Sequence, residues 1–452
     1  MKRNFKYFLA IFILLFTTTL FAQKKWTLEE CISYALQNNI QIKRQSLQTQ
    51  KVKEDRLAAY MSFAPTLSAQ FSHSIQIGSS FNTNLGQFVT NPQDGSGGIG
   101  GSFDLFQGLN KWNYLAQTKF DLLASLEGVE QLKKNVSLNI AAKYLEVLYA
   151  IENYNLALNR VDVSEKQVES SQQQYDLGKI SNSDFLLVKS QAIAEKVQFT
   201  NARNSLDMSR LELTQMLELQ STEGFEIVTD NVVIQNDTVK YGLKQYYDEA
   251  LVTMPSVRMA NFNQKSADKR YLIALGGALP RMSIGYQMYS FYSDQIWSED
   301  ASGNKINLYP GYSYMDQAKD NIRKFISFDV TIPIFNKLQN KVRISKAKID
   351  KIDARFAVEE AEKNLLKSVQ QAYAEAKGEF YRYQSMIESE ASYRELFEIN
   401  KEKFNLGMVN AVDYGLARNN HIKAQGDLLH AKYSYLLKLK ILDFYRGVPI
   451  TL

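Results

Sequence analysis

One cysteine, seven prolines and three histidines are found in 452 residues, and 53 basic side chains nearly balance 48 acidic ones. The lone Cys31 excludes an internal disulfide, so stability must come from packing, assembly or membrane insertion. His73, His421 and His430 lack the spacing of a metal cluster, and His421 and His430 are expected on a solvated helix face. No nucleophile motif or paired acid with a supporting base occurs, so neither catalysis nor a cofactor is expected. The formal charge of +5, about +2 without Lys2, Arg3 and Lys6, points to no nucleic acid or other polyanionic partner. Scarce proline, with stretches rich in Gln, Lys, Leu, Ala and Glu, points to a helical majority.

The N-terminus is basic, runs into the apolar stretch Tyr7 to Phe16 and closes on Thr17-Thr18-Thr19-Leu20-Phe21-Ala22, the pattern of a secretory signal peptide cleaved after Ala22. Its apolar core is shorter than the roughly 20 residues a spanning helix needs, and no second such run follows. The cysteine lies nine residues beyond the expected cleavage point, so no acyl anchor is expected.

The chain repeats itself. A gapless shift of 229 residues carries Phe106 onto Phe335, Lys119 onto Lys348, Tyr144 onto Tyr373, Leu177-Gly178 onto Leu406-Gly407 and Asp184 onto Asp413. Upstream a shift of 215 carries Ala35-Leu36 onto Ala250-Leu251 and Pro65 onto Pro280. The 14-residue difference places an insertion between Ser283 and Phe335, in the Gly-, Asn- and Tyr-rich stretch around Asp294 to Asn321.

Each copy reads helix, strand, loop, strand, very long helix, tight turn, helix. A signal peptide at 1–22 precedes a first repeat at 23–219, with helix 27–61, strands 66–77 and 99–106, long helix 112–175 and helix 183–219. Residues 220–240 form a linker. The second repeat, 241–452, has helix 243–275, strands 281–292 and 322–335, long helix 338–404 and helix 411–446.

The helices follow from periodicity. Val129, Leu132, Val136, Ile140, Tyr144, Val147, Ile151, Tyr154, Leu158 and Val161 recur every three or four residues, with a mean spacing of about 3.56 that lies between the straight-helix and coiled-coil periods. From Trp112 to Tyr175 is roughly 96 Å at about 1.5 Å per residue, longer than any globular core. The flanking helices of roughly 52 and 56 Å, laid end to end, match it, which suggests a cylinder wall of equal columns. Thr27-Leu28-Glu29-Glu30 opens the first helix as a capping box.

After Pro65 the chain alternates. Leu67, Ala69, Phe71, Ile75 and Ile77 share one face, broken only by His73, and Thr66, Ser68, Gln70, Ser72, Ser74 and Gln76 share the other. Ile99, Gly101, Phe103 and Leu105, then Met282, Ile284, Tyr286 and Met288, then Ile326, Phe328, Val330, Ile332 and Ile334 repeat the pattern. A half-buried soluble sheet shows the same alternation. Beside an export signal and such long helices, strands of about 10 residues fit better an outer-membrane barrel around water. Four strands cannot close a barrel and open edges cannot sit in lipid, so the chain must oligomerise. The loops Gly78 to Gly98 and Ser293 to Asn321 would then be extracellular and the helices periplasmic. Gly95-Ser96-Gly97-Gly98-Ile99-Gly100 spells a dinucleotide fingerprint, but no strand precedes it and no helix follows, so it is read as a flexible loop.

This pattern resembles the TolC-type outer-membrane efflux protein family, whose members carry the same repeat and begin with a segment like Trp26-Thr27-Leu28-Glu29-Glu30-Cys31-Ile32-Ser33-Tyr34-Ala35-Leu36. The most specific pieces are two tips, Tyr175 to Asp184 and Phe404 to Asp413. The resemblance implies a mainly α fold with transmembrane β: a homotrimer in which four strands per subunit make a 12-stranded barrel above a periplasmic α-barrel. It implies an efflux or type I secretion duct, working with a periplasmic adaptor (membrane fusion protein) and an inner-membrane pump of RND, ABC or MFS type. It assigns Leu177, Gly178, Leu406 and Gly407, with neighbouring Lys179, Ser181, Met408 and Asn410, to the adaptor-docking tips.

Local chemistry explains much of the same residues. Gly178 and Gly407 suit helix C-terminal caps, Ser181 and Asn410 suit N-caps, and Asp184 and Asp413 sit against the positive end of the next helix. In better-known family members a Tyr, an Arg and paired Asp residues clasp the periplasmic entrance near the second tip. Here Phe404, Val409, Asp413 and Leu416 stand at those places, so the entrance, which includes Asp184, is expected to close through Phe404, Val409 and Leu416 with Asp413 as a lesser acidic ring. The competing reading is a non-conducting periplasmic coiled-coil structural or adhesive envelope protein.

Overall fold

The computed structural model describes residues 25–83, 86–229 and 240–451. The expected signal peptide and residues 230–239 of the linker lie outside them.

Among the described residues the helices are α1 (Leu28–Asn38), α2 (Ile40–Met61), α3 (Asn110–Asp176), α4 (Asn182–Met216), α5 (Leu243–Thr253), α6 (Pro255–Gly276), α7 (Tyr314–Asp320), α8 (Gln339–Asn405) and α9 (Ala411–Arg446). The strands of the main sheet are β2 (Thr66–Ile75), β5 (Gln93–Gln107), β7 (Arg281–Ser293) and β10 (Arg323–Thr331). Shorter pairs are β1 (Lys25–Trp26) with β6 (Glu226–Ile227), β3 (Ser79–Asn82) with β4 (Gln87–Thr90), and β8 (Trp297–Glu299) with β9 (Lys305–Asn307). Helices α3 and α8 are each 67 residues long, about 100 Å at about 1.5 Å per residue.

Several expected boundaries are corrected. The helix expected at 27–61 is two helices meeting at Asn39, whose ψ of 124° leaves the helical region while its Oδ1 accepts the N–H groups of Gln41 and Ile42. In the second copy the break falls at the equivalent place, Met254 (ψ 121°), because Pro255 disfavours a helical residue before it. Helix α4 ends at Met216 rather than 219, followed by Glu218 at φ 58°. Strand β10 stops at Thr331, two residues before Pro333, which has no N–H to give to a ladder. The two regions expected as polar loops carry the β3–β4 and β8–β9 hairpins and α7.

The glycine-rich stretch is the larger correction. Gly95 to Gly98 lie inside β5, paired to β2 on one side and β7 on the other. A Cβ on Gly97 would run into the ring of Phe71, and one on Gly95 into the ring of Tyr292. Glycine is there so that aromatic rings from both neighbouring strands can lie over β5.

The chain forms two compact units. One comprises Gln48–Ser125 and Met259–Val358, and the other the described parts of Met1–Leu47, Leu126–Arg258 and Glu359–Leu452. The first unit holds the four-stranded antiparallel sheet, ordered β10-β7-β5-β2. Its register puts Leu67, Ala69 and Phe71 of β2 opposite Gly101, Ile99 and Gly97, and Ile284 of β7 between Phe103 and Phe328. A bulge at Leu105 brings Phe106 rather than Leu105 opposite Met282 and ends the expected parity there. His73, the polar residue in the apolar set, stacks on Tyr292 and hydrogen-bonds its hydroxyl (Nδ1 to OH, 3.1 Å).

The second unit is helical. Leu28, Cys31 and Ala35 of α1, Ile140, Tyr144 and Val147 of α3, and Leu213 of α4 share one core, so the start of α1 and the end of α4 pack on the same stretch of α3. There the Tyr144 hydroxyl donates to the carbonyls of Trp26 and Val228, tying the start of the described chain to the linker beside the parallel β1–β6 pair. A second core joins Tyr246 and Ala250 of α5, Val369 and Ala376 of α8, and Leu442 and Phe444 of α9.

Candidate functional site

Two hairpin turns, α3 to α4 and α8 to α9, carry the residues singled out in the sequence. They share one construction. At the first, Gly178 adopts φ +69°, its N–H reaches Tyr175 O at 2.8 Å and the Lys179 N–H reaches Gln174 O at 2.8 Å. At the second, Gly407 adopts φ +73° and the same two bonds run from Gly407 to Phe404 O and from Met408 to Lys403 O. This pairing of six-to-one and five-to-two bonds is a Schellman cap, which closes the last carbonyls of a helix and needs a left-handed residue.

The next helix starts at once in both. Ser181 Oγ accepts the Asp184 N–H at 3.1 Å while the Asp184 carboxylate accepts from the Ser181 N–H and hydroxyl. Asn410 Oδ1 accepts the Asp413 N–H at 2.8 Å. Asp184 is thus held on its own turn, whereas no ion pair among the described residues engages Asp413.

What the turns leave uncovered is apolar. Leu177 is 70% exposed and Leu406 75%, against a typical monomer surface that scatters such residues singly. Met408 and Leu416 are also open, as are Lys179 and Asp413. Val409 is half-buried.

Phe404 corrects the expectation made of it. It is 6% exposed, packed with Phe397, Ala411 and Tyr414 and flanked by Leu187 and Val409. Its ring stacks on Tyr414 at 4.8 Å between centroids. In this arrangement Phe404 holds the tip together and offers no surface to an opening, and of the residues expected at the entrance Asp184, Val409, Asp413 and Leu416 keep some exposure.

Behind the tips lies a buried charge cluster that sequence reading missed. Glu195 of α4 pairs with Arg418 of α9 at 3.3 Å, with both side chains about a tenth exposed or less. Arg160 of α3 donates to Ile422 O of α9 at 2.8 Å, and burial pushes its guanidinium below the ordinary arginine range, with Glu195 opposing that and Arg418 adding to it. His421, expected on a solvated face, is instead buried, 3.2 Å from Glu390 and stacked on Phe397. The only sequence signal was that Arg418 and His421 fall on the same side of α9 as the apolar Tyr414 and Ala417. Polar residues on an apolar stripe mark a buried network.

The second functional surface is the sheet. Its apolar face is uncovered, with Leu67, Phe71, Ile326 and Phe328 all more than 60% exposed, and its edge strands β2 and β10 each have one free side. No helix among the described residues is long and apolar enough to cross a membrane.

Comparison with known proteins gives a consistent result. The family described as "Outer membrane efflux protein" matches residues 31–218 and 246–448. "Outer membrane protein TolC" of Escherichia coli (strain K12) is 20% identical over 336 residues, covering 73% of this chain and 64% of that protein's length. Among solved structures, CusC superposes with a TM-score of 0.78 at 17% identity, over 94% of this chain and 92% of that one. The CmeC outer membrane channel of Campylobacter jejuni gives 0.77 at 17% identity, over 93% and 85%.

Proposed function

The chain belongs to the outer membrane efflux protein family, and on that premise we propose that it is the outer-membrane channel subunit of a tripartite efflux or type I secretion system. Three copies would close twelve strands into a barrel in the outer membrane of a Gram-negative cell, with the two loop regions outside and the helices in the periplasm. The subunit works as a passive conduit. Energy comes from an inner-membrane pump of RND, ABC or MFS type, linked through a periplasmic adaptor that docks at Leu177, Gly178, Lys179 and Ser181 and at Leu406, Gly407, Met408 and Asn410.

One observation carries this reading: an antiparallel sheet with a continuous bare apolar face on one side, Ser, Thr and Gln on the other, and two open edges. In water that face and those edges are an aggregation hazard. In lipid the face is the required outer surface, and edge-to-edge closure between copies satisfies every strand. β2 and β10 run in opposite directions, since they stand at the two ends of a four-stranded antiparallel sheet, so one copy's β10 meets the next copy's β2 in the same antiparallel sense.

The test is purification from outer membranes followed by mass measurement in detergent and recording in planar bilayers. A trimer that conducts ions supports the reading, and a monomer, or a trimer with no conductance, removes it.

A further inference from the structure

The near-neutral chain hides an uneven distribution of charge. Residues 48–61, 110–125, 259–276 and 337–358, helical except for the corner at 337 and 338, adjoin the sheet in sequence, share its compact unit and carry 15 basic and 6 acidic side chains. That excess of nine positive charges exceeds the +5 of the whole chain. The excess is densest at the start of α8, where a groove of about 550 Å³ opens between α6 and α8 and is lined by Arg270, Lys337, Arg343, Lys346 and Asp350. Arg270 is held 3.6 Å from Asp121. No ion pair among the described residues engages Lys337, Arg343 or Lys346, so three exposed cations share the groove with one carboxylate.

Lys337 is there against a conformational preference. It adopts φ 55° and Leu338 φ 63°, the left-handed region that L side chains rarely enter. In the first repeat the equivalent positions are Gly108 at φ 61° and Leu109 at φ 63°. The backbone corner is the same, and the first copy fills it with the residue the conformation favours. The second copy puts a strained lysine at the mouth of the groove, which fits a position retained for its charge.

The side on which the groove opens follows from handedness. Gln76 donates its N–H to Pro92 O from the polar face of β2, and Asp294 donates to Gln93 O from the apolar parity of β7. In a chain of L residues both bonds give one order: with the loops uppermost and the apolar face toward the observer, β10, β7, β5 and β2 run from left to right. Helix α8 descends from β10 and α6 rises into β7. Lys351 reaches across to α6, its Nζ 3.0 Å from Asp268 Oδ1 and over the ring of Tyr271. On a right-handed helix turning about 100° per residue, Arg343 and Asp350 then project about 80 to 100° from Lys351, toward the polar face of the sheet. Lys346 lies beside them, and Lys341 and Lys348 point to the opposite side.

We propose that this groove is an anion-binding station in the wall of the duct, and that the duct favours small anionic solutes, carboxylates and phosphates, over cations. The inference rests on the channel reading, in which the polar face of the sheet lines the lumen. Threefold symmetry would set nine such cations around one ring just inside the barrel, where low-dielectric walls focus their field.

The experiment is the reversal potential of the purified oligomer in a planar bilayer under a tenfold KCl gradient. The chloride-to-potassium permeability ratio of the unaltered protein is compared with two variants. The groove variant is Lys337→Gly, Arg343→Gln and Lys346→Gln, in which the glycine also relieves strain and the other two positions are exposed. The control is Lys341→Gln with Lys348→Gln. The ratio is expected to fall at least twofold in the groove variant and to stay put in the control. Pyrophosphate added on the barrel side should interrupt the current of the unaltered channel in a concentration-dependent way and leave the groove variant undisturbed. Equal ratios in the unaltered and groove-variant proteins, or an equal shift in the control, would overturn the inference while leaving a conducting channel. Absence of any conductance is a separate failure, that of the duct reading itself.

Discussion

Glu195 and Arg418, 223 residues apart in sequence, form a buried ion pair 3.3 Å long that joins the first tip hairpin to the second. Breaking one side of such a pair leaves the other charge stranded, at a cost of about 3 to 5 kcal/mol, whereas replacing both with apolar residues of similar volume is often nearly neutral. Glu195→Leu is therefore expected to destabilise strongly, and more than Arg418→Leu, because it also leaves Arg160 and Arg418 facing each other. The double variant should recover most of the loss. Thermal unfolding of all three checks this, and additive losses would show that the pair contributes no coupling.

Strand parity separates a conducting barrel from a soluble structural protein. Ile284 and Ser283 are neighbours on β7, facing opposite sides of the sheet. Arginine at the lipid-facing Ile284 should cost about 2 to 4 kcal/mol if it lies near the bilayer midplane, while Ser283→Arg should be tolerated. Yield of heat-resistant oligomer in outer-membrane fractions reports both, and equal yields would favour the non-conducting alternative.

The entrance can be dissected by burial. Phe404→Ala removes a stacked core side chain, and large-to-small changes of that kind cost about 3 to 5 kcal/mol. Leu416→Ala and Val409→Ala should leave stability nearly intact and raise single-channel conductance. If neither alters conductance, the apolar closure is wrong.

At the docking tips, Leu177→Ser and Leu406→Ser touch exposed side chains and should change stability by no more than about 0.5 kcal/mol. A photocrosslinker at Lys179 or Met408 should capture the periplasmic adaptor in the unaltered protein and much less in the double variant. Unchanged capture would move the docking surface elsewhere.

Cys31 offers a check on the helical core. Burial first, and then the neighbouring Glu30 and Glu29, push its thiol up to about 12. The raised value leaves about one thiol in ten thousand ionised at pH 8, and the thiolate is the nucleophile. A maleimide should not label the folded protein at pH 8 and should label it fully in denaturant. Prompt labelling of the folded form would mean that the core around α1 opens.

Much of the architecture is written locally. Periodicity near 3.6 sustained from Val129 to Val161 can be satisfied only by a long helix, and a period of two with one apolar parity can be satisfied only by a strand with one dry face. The cap residues at the tips are equally local, since each acts on backbone groups within five residues. The break before Pro255, which the unbroken helix expected over 243–275 overlooked, does carry a local marker, because proline restricts the residue preceding it; the matching break at Asn39 has no such marker.

The sequence by itself therefore determined the repeat, the two very long helices and the two faces of the sheet. Only the tertiary structure decided that glycines in β5 make room for Phe71 and Tyr292, that Phe404 turns inward onto Tyr414, that His421 is buried against Glu390, and which way the basic groove opens. Each of these depends on side chains brought together by the crossing of separate elements. Periodicity states which face of an element is buried, but not which residue of another element it meets there.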